Sequence, residues 1–156
     1  MALTDARLFL PDDAATTRLG GALAGLVKAG DTVLLHGPVG AGKTHLARAL
    51  VQAILGREEH VPSPTFTLVQ TYETPGGEVW HADLYRLSHR DELTELGLEG
   101  ALGRAICLVE WPERLGPLAP ADALHVRLSP VGEGREAQVS GGREGLANAL
   151  LRAFDA

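Results

Sequence analysis

The run Thr32-Val33-Leu34-Leu35-His36-Gly37-Pro38-Val39-Gly40-Ala41-Gly42-Lys43-Thr44 decides how this chain is read. Thr32 to His36 is a short β-branched and apolar stretch, which predicts a strand. Gly37 to Thr44 fits G-x-x-x-x-G-K-[ST], and Leu46, Ala49, Leu50, Ala53 and Ile54 then predict a helix to about Leu55. Strand, glycine-rich turn and helix are the context this motif requires. Glycines at 37, 40 and 42 let successive N–H groups point inward at phosphate oxygens, and a helix starting near Lys43 adds the positive end of its dipole. Gly37, Val39, Gly40, Ala41, Gly42, Lys43, Thr44 and His45 are therefore expected to border phosphates. Lys43 is expected to reach the β- and γ-phosphates, and the Thr44 hydroxyl to take a Mg²⁺ coordination position. A chance glycine turn would not need both flanking elements.

Such a site needs an acid near the metal, at the end of a neighbouring buried strand. Ile106-Cys107-Leu108-Val109-Glu110 has that form, four apolar residues and then a carboxylate. Asp83, ending His81-Ala82-Asp83, is the second candidate acid, and alternation puts His81 on its face of the strand, where it is expected to order Asp83. Between the loop helix and the next strand lies Ser63-Pro64-Thr65-Phe66-Thr67, held extended by Pro62 and Pro64. Its hydroxyls are placed where a nucleotide-sensing switch would be. Guanine-specific loop proteins carry N-K-x-D and D-x-x-G elements. This chain has a single asparagine, Asn148, and no D-x-x-G, so ATP is the expected nucleotide.

Working outward, Asp12 is placed to cap a first helix with Leu19, Leu23, Leu26 and Val27 on one face and Gly30 at its end. Thr65 to Glu73 alternates, Pro75-Gly76-Gly77 is a turn, and Glu78 to Asp83 returns as the second strand of a hairpin. Asp91 to Leu98 predicts a short helix. Ala105 to Val109 is apolar throughout, as in a strand buried on both faces. Leu124–Leu128 and Glu136–Ser140 predict two more strands, and 144–154 a terminal helix. This order predicts an α/β fold, a P-loop NTPase-like three-layer sandwich with a mixed, mostly parallel central sheet, in one domain spanning 1–156.

Composition sets the outer bounds. The 156 residues are 45% hydrophobic and 22% charged, enough for a buried core. Fourteen basic against 20 acidic side chains give a net charge of −6, which disfavours tight nucleic-acid binding by this chain alone. One cysteine, Cys107, excludes an internal disulfide and a cysteine-built zinc site. The six histidines have no compact ligand spacing. No apolar run is long enough to cross a membrane, and the first residues lack a signal-peptide pattern, so the cytoplasm is expected.

Four stretches taken in order carry a resemblance: Gly37–Thr44, Ser63-Pro64-Thr65-Phe66-Thr67-Leu68-Val69, His81-Ala82-Asp83-Leu84-Tyr85-Arg86-Leu87 and Ile106-Cys107-Leu108-Val109-Glu110-Trp111-Pro112. Together they resemble the bacterial TsaE (YjeE) family of small P-loop ATPases over roughly residues 10 to 140. The resemblance implies a role in making threonylcarbamoyladenosine beside the anticodon of tRNAs that read codons beginning with A. It implies ATP and Mg²⁺ as cofactors and the TsaD–TsaB complex as partner, with ATP turnover resetting the complex between cycles. It implies that Lys43 and the loop amides hold phosphates, and that Thr44 and Glu110 hold Mg²⁺. Asp83 is then near the metal and the attacking water, Thr65 belongs to the switch, and Trp111 lies near the nucleotide and moves with its state. Arg135, in Gly134-Arg135-Glu136, is implied to approach the nucleotide, and Asp12 to Thr17 to border the adenine. Phe66 stands where many members have tyrosine, and Gly37-Pro38-Val39 where Gly-Asp-Leu is common.

Two other functions fit a phosphate loop. In a nucleotide-gated binding module, ATP sets partner affinity and hydrolysis is incidental. A small-molecule kinase needs an arginine-bearing lid and an acceptor pocket, and Glu110 to Ala121 offers only Arg114.

Overall fold

The computed structural model describes residues 5–56 and 68–155. Thr65 and the rest of the 57–67 segment, with the first residues of the predicted alternating run, lie outside them. One seven-stranded sheet runs through the described residues: β1 (Asp5–Leu10), β2 (Thr32–His36), β3 (Val69–Thr74), β4 (Gly77–Asp83), β5 (Ile106–Glu110), β6 (Leu124–Val131) and β7 (Gly134–Gly141). Their order across the sheet is β1-β7-β6-β2-β5-β4-β3. The central strands β6, β2, β5 and β4 are parallel, and antiparallel pairings close both edges. Only β7 and β3 run against the other five, so the predicted mixed, mostly parallel sheet is the one observed.

The helices are α1 (Asp13–Ala24), α2 (Lys43–Leu55), α3 (Asp91–Glu95), α4 (Leu98–Ala101) and α5 (Leu146–Asp155), with a 3-10 segment over Pro112–Leu118. Strand alternation divides the interior into two cores. Val33, Leu35, Ile106 and Leu108 face Leu19, Leu23, Leu46, Leu50, Leu146 and Leu150 of α1, α2 and α5. Leu34, Cys107 and Val109 face Leu93 of α3, Leu98 and Ala101 of α4, and Leu115 of the 3-10 segment. The central strand β5 is buried along its whole length because it serves both cores, as its unbroken apolar run predicts.

One strand was not anticipated, and two expectations need correction. The N-terminal residues form an edge strand, β1, because Leu8 and Leu10 pack into the α1 core while the backbone pairs with β7. Helix α1 starts where predicted, with Asp12 Oδ1 accepting the Ala15 N–H at 2.9 Å, but it ends at Ala24 rather than near Gly30. Leu26 and Val27 still pack against the core, from a turn in which both their N–H groups return to the Leu23 carbonyl. The predicted helix over Asp91–Leu98 is two short helices, broken at Gly97, whose φ of 86° is left-handed.

Candidate functional site

In parallel α/β sheets, ligands sit beyond the carboxyl ends of the strands. Here β2, β5 and β4 deliver three functional groups to that edge. Strand β2 runs directly into the loop Gly37–Gly42 and so into α2. Asp83 and Glu110 end β4 and β5 and are register partners, so the two candidate acids stand side by side. Leu35, two residues before the loop, is the β2 partner of Glu110.

The loop can form only with glycine at its tight points. Gly37 has φ 148°, and a Cβ there would lie 2.5 Å from the Leu128 carbonyl oxygen. Gly42, the residue before α2, has φ 100°, and a Cβ there would lie 2.8 Å from Arg135 Cζ. Arg135 thus rests directly on the loop, held by a 2.9 Å hydrogen bond to Thr16 Oγ1 and a 3.2 Å ion pair with Asp13. Its guanidinium adds positive charge beside the α2 N-terminus, where the unpaired amides already favour an anion.

Lys43 is 5% exposed. Its ammonium donates to the Gly37 carbonyl and lies over the indole of Trp111, 3.4 Å from the ring centroid. Burial pushes the lysine below its ordinary value, against the opposing pull of Glu110, Glu113 and Asp83. Trp111 is held in the left-handed region at φ 59°, a conformation costing about 1–2 kcal/mol in a non-glycine residue. Its indole also packs 4.9 Å from the Tyr85 ring.

The Thr44 hydroxyl donates to Glu110 Oε1 at 2.6 Å, and His81 Nε2 lies 2.7 Å from Glu110 Oε2. A hydroxyl and a carboxylate are hard oxygen donors of the kind Mg²⁺ prefers. Mg²⁺ beside a triphosphate keeps waters and phosphate oxygens as its other ligands, so no all-protein cage is required. Consistent with that, no group of three or more His, Cys, Asp or Glu side chains placed to hold a metal occurs among the described residues. Thr44 and Glu110 fit the ion. Asp83 is beside them, with its Oδ1 accepting the Tyr85 N–H at 3.1 Å.

These groups line an open cleft of about 430 Å³ walled by Val39, Gly40, Lys43, Asp83, Glu110 and Trp111, with His45 at its margin. A family model described as the threonylcarbamoyl adenosine biosynthesis protein TsaE matches residues 10–137. The chain belongs to the TsaE family. Proteins named tRNA threonylcarbamoyladenosine biosynthesis protein TsaE are similar to it over most of their length. That of Rickettsia bellii is 38% identical across 82% of this chain and 89% of its own. That of Haemophilus influenzae is 39% identical across 74% and 77%, and that of Nostoc 37% across 86% and 85%. The crystal structure of Bacillus subtilis YdiB superposes with a TM-score of 0.77 at 23% identity, covering 99% of this chain and 97% of that one, and so shares the fold.

Within this TsaE-family chain, Val39, Gly40, Gly42, Lys43, Thr44, Asp83, Glu110 and Trp111 converge on one cleft, whereas Gly37 and Ala41 do not line it and Ala41 packs into the core. Arg135 does not line that cleft but sits against Gly42 of the loop. The Asp12–Thr17 segment meets Arg135 of β7 through Thr16, and meets the loop helix through a 3.0 Å contact between Thr17 Oγ1 and His45 Nε2. His81 is bonded to Glu110 and not to Asp83 as expected. Tyr85 and Arg86 also line the cleft, unforeseen as site residues. Their signal was their place directly after Asp83, where the chain leaves the strand. Cys107 is buried, and burial pushes its thiol up to about 12, which leaves it inert.

Proposed function

We propose that this chain is an ATP hydrolase of tRNA threonylcarbamoyladenosine synthesis, acting in the cytoplasm with the TsaD–TsaB complex. One observation carries the reading: in a TsaE-family chain, the loop lysine and the Thr44 hydroxyl, the Glu110 carboxylate and the Asp83 carboxylate come together at the ends of the parallel strands β2, β5 and β4. The loop amides and Lys43 bind the phosphates of ATP. Thr44 and Glu110 hold Mg²⁺, which neutralises charge developing on the transferred phosphoryl oxygens. Asp83, beside Glu110, orients the attacking water, Thr65 senses the γ-phosphate, and Trp111 and Arg135 flank the nucleotide. Hydrolysis by the chain alone is slow, since P-loop sites commonly gain groups supplied by a partner. The site does not act on tRNA itself, in keeping with the net charge of −6.

Multiple-turnover tRNA modification with TsaD, TsaB and TsaC, which makes the threonylcarbamoyl adenylate they use, tests this, run with and without the chain. Sustained turnover is expected only with the chain and hydrolysable ATP. Equal turnover in its absence, or with a non-hydrolysable analogue, overturns the assignment.

A further inference from the structure

His81 is fully buried in β4, the strand next to the β3 edge, with Gln70 of β3 and Leu108 of β5 as its register partners. Its Nε2 meets Glu110 Oε2 at 2.7 Å, and its Nδ1 is buried without a hydrogen-bond partner. The partner at Nε2 is a carboxylate, so Nε2 carries the proton. Nδ1 takes no part in a hydrogen bond, so Nε2 is the ring atom through which His81 acts. Glu110 in turn receives one donor on each oxygen, His81 on Oε2 and Thr44 on Oε1. One donor on each oxygen fixes the rotation of the carboxylate, with Oε2 on His81 and Oε1 on Thr44. Packing alone does not call for this arrangement. A well-packed apolar side chain in place of a buried polar pair is often neutral or stabilising.

We propose that His81 is a positioning residue: by donating to Glu110 Oε2 it holds Oε1 beside the Thr44 hydroxyl, in the orientation that binds the divalent cation. This rests on the Mg²⁺–ATP reading above. It requires that loss of the Nε2 donor weaken the response to the cation while leaving the phosphate grip of the loop intact.

Two variants of the full chain separate donor from bulk. His81→Gln keeps an amide N–H near the position of Nε2, whereas His81→Leu fills the space without a donor. ATP binding is measured calorimetrically in EDTA and then across a Mg²⁺ titration, alongside thermal unfolding. His81→Leu is expected to bind ATP in EDTA within about twofold of the parent. Its Mg²⁺ midpoint should rise at least about tenfold, the usual lower bound for losing a partner of a metal ligand, while His81→Gln stays within about threefold. A folded His81→Leu with an unchanged Mg²⁺ midpoint overturns the proposal, as does a folded His81→Gln that behaves like it. A purely structural role would move the unfolding temperature and leave the midpoint in place. Should His81→Leu not fold, His81→Gln and the ¹⁵N spectrum of the parent histidine decide. A proton on Nε2 supports the proposal, and a bare Nε2 overturns it. A parent chain whose ATP binding ignores Mg²⁺ sinks the nucleotide reading itself, an outcome distinct from failure of the variants alone.

Discussion

The Lys43 ammonium is bound at once to the start of its own loop and to the end of β5, donating to the Gly37 carbonyl while lying over the Trp111 indole. The cation proposed to grip phosphate is thus held by a backbone carbonyl and an aromatic face. Burial disfavours its charge even with three carboxylates nearby. A charge kept at such a cost marks a site selected for binding rather than for stability.

From this follows the outcome of Lys43→Met, which keeps the chain length and removes the charge. The folded-state pKa lies below its ordinary value, so at neutral pH folding works against the protonated form, and removing it relieves that penalty. The unfolding temperature is expected to equal or exceed that of the parent, while the heat of Mg²⁺–ATP binding disappears. A variant melting several degrees lower would show that the lysine is a structural element of the loop.

Adjacent glycines in α1 should respond with opposite signs. A Cβ on Gly20 would lie 2.7 Å from Ala49 Cβ and 2.9 Å from the Leu50 nitrogen, since α1 and α2 touch backbone to backbone there. Gly20→Ala is expected to cost about 1–3 kcal/mol through overpacking. A Cβ on Gly21 meets nothing within 4 Å, so Gly21→Ala should gain about 0.5–1 kcal/mol from helix propensity. Chemical denaturation of both variants checks the pair, and a stable Gly20→Ala would contradict the close approach.

What the sequence disclosed followed how local its causes are. The loop, α2 and the all-buried β5 were legible because each is set by neighbours a few residues away. The Asp12 cap was legible for the same reason. Strand β1 was not, because Ala6, Leu8 and Leu10 become a buried face only when paired with Val139, Ala137 and Arg135 far along the chain. The C-terminus of α1 was misplaced because Leu26 and Val27 keep helical spacing and remain in the core after the helix has ended. The partner of His81 was misread for a related reason. Alternation within β4 puts His81 and Asp83 on one face, but only the register between β4 and β5 brings Glu110 within reach.

The pH profile of stability should carry the signature of two histidines next to the loop. His36 Nε2 lies 2.9 Å from His125 Nδ1, and the rings stack with centroids 5.1 Å apart. Burial, then Arg127, His125 and Lys43, lower His36 from 6.5 to about 4. Burial and Arg127 lower His125 too. Between about 6.5 and 4 the unfolded chain binds the protons that the folded one refuses, so stability rises with pH there. It is complete above about pH 6.5 and is lost as the pH falls toward 4. Thermal unfolding across that range should show a shallower loss for His36→Gln with His125→Gln than for the parent. Parallel profiles would remove the histidine pair from the explanation.

Trp111 should report occupation of the loop. Phosphate oxygens accept the lysine hydrogen bonds more strongly than a carbonyl does, since the pairing is between opposite charges. Binding of Mg²⁺–ATP is therefore expected to draw the Lys43 ammonium off the Gly37 carbonyl and away from the indole. The chain has two tryptophans, and Trp80 lies in β4, so Trp80→Phe isolates the signal. In that background, emission should change on adding Mg²⁺–ATP. Lys43→Met, which has no cation over the ring, should start from a different intensity and show no further change. An unaltered spectrum in a Trp80→Phe chain that binds ATP by calorimetry would mean that Lys43 keeps its place over the ring and that the phosphates are held by the amides alone.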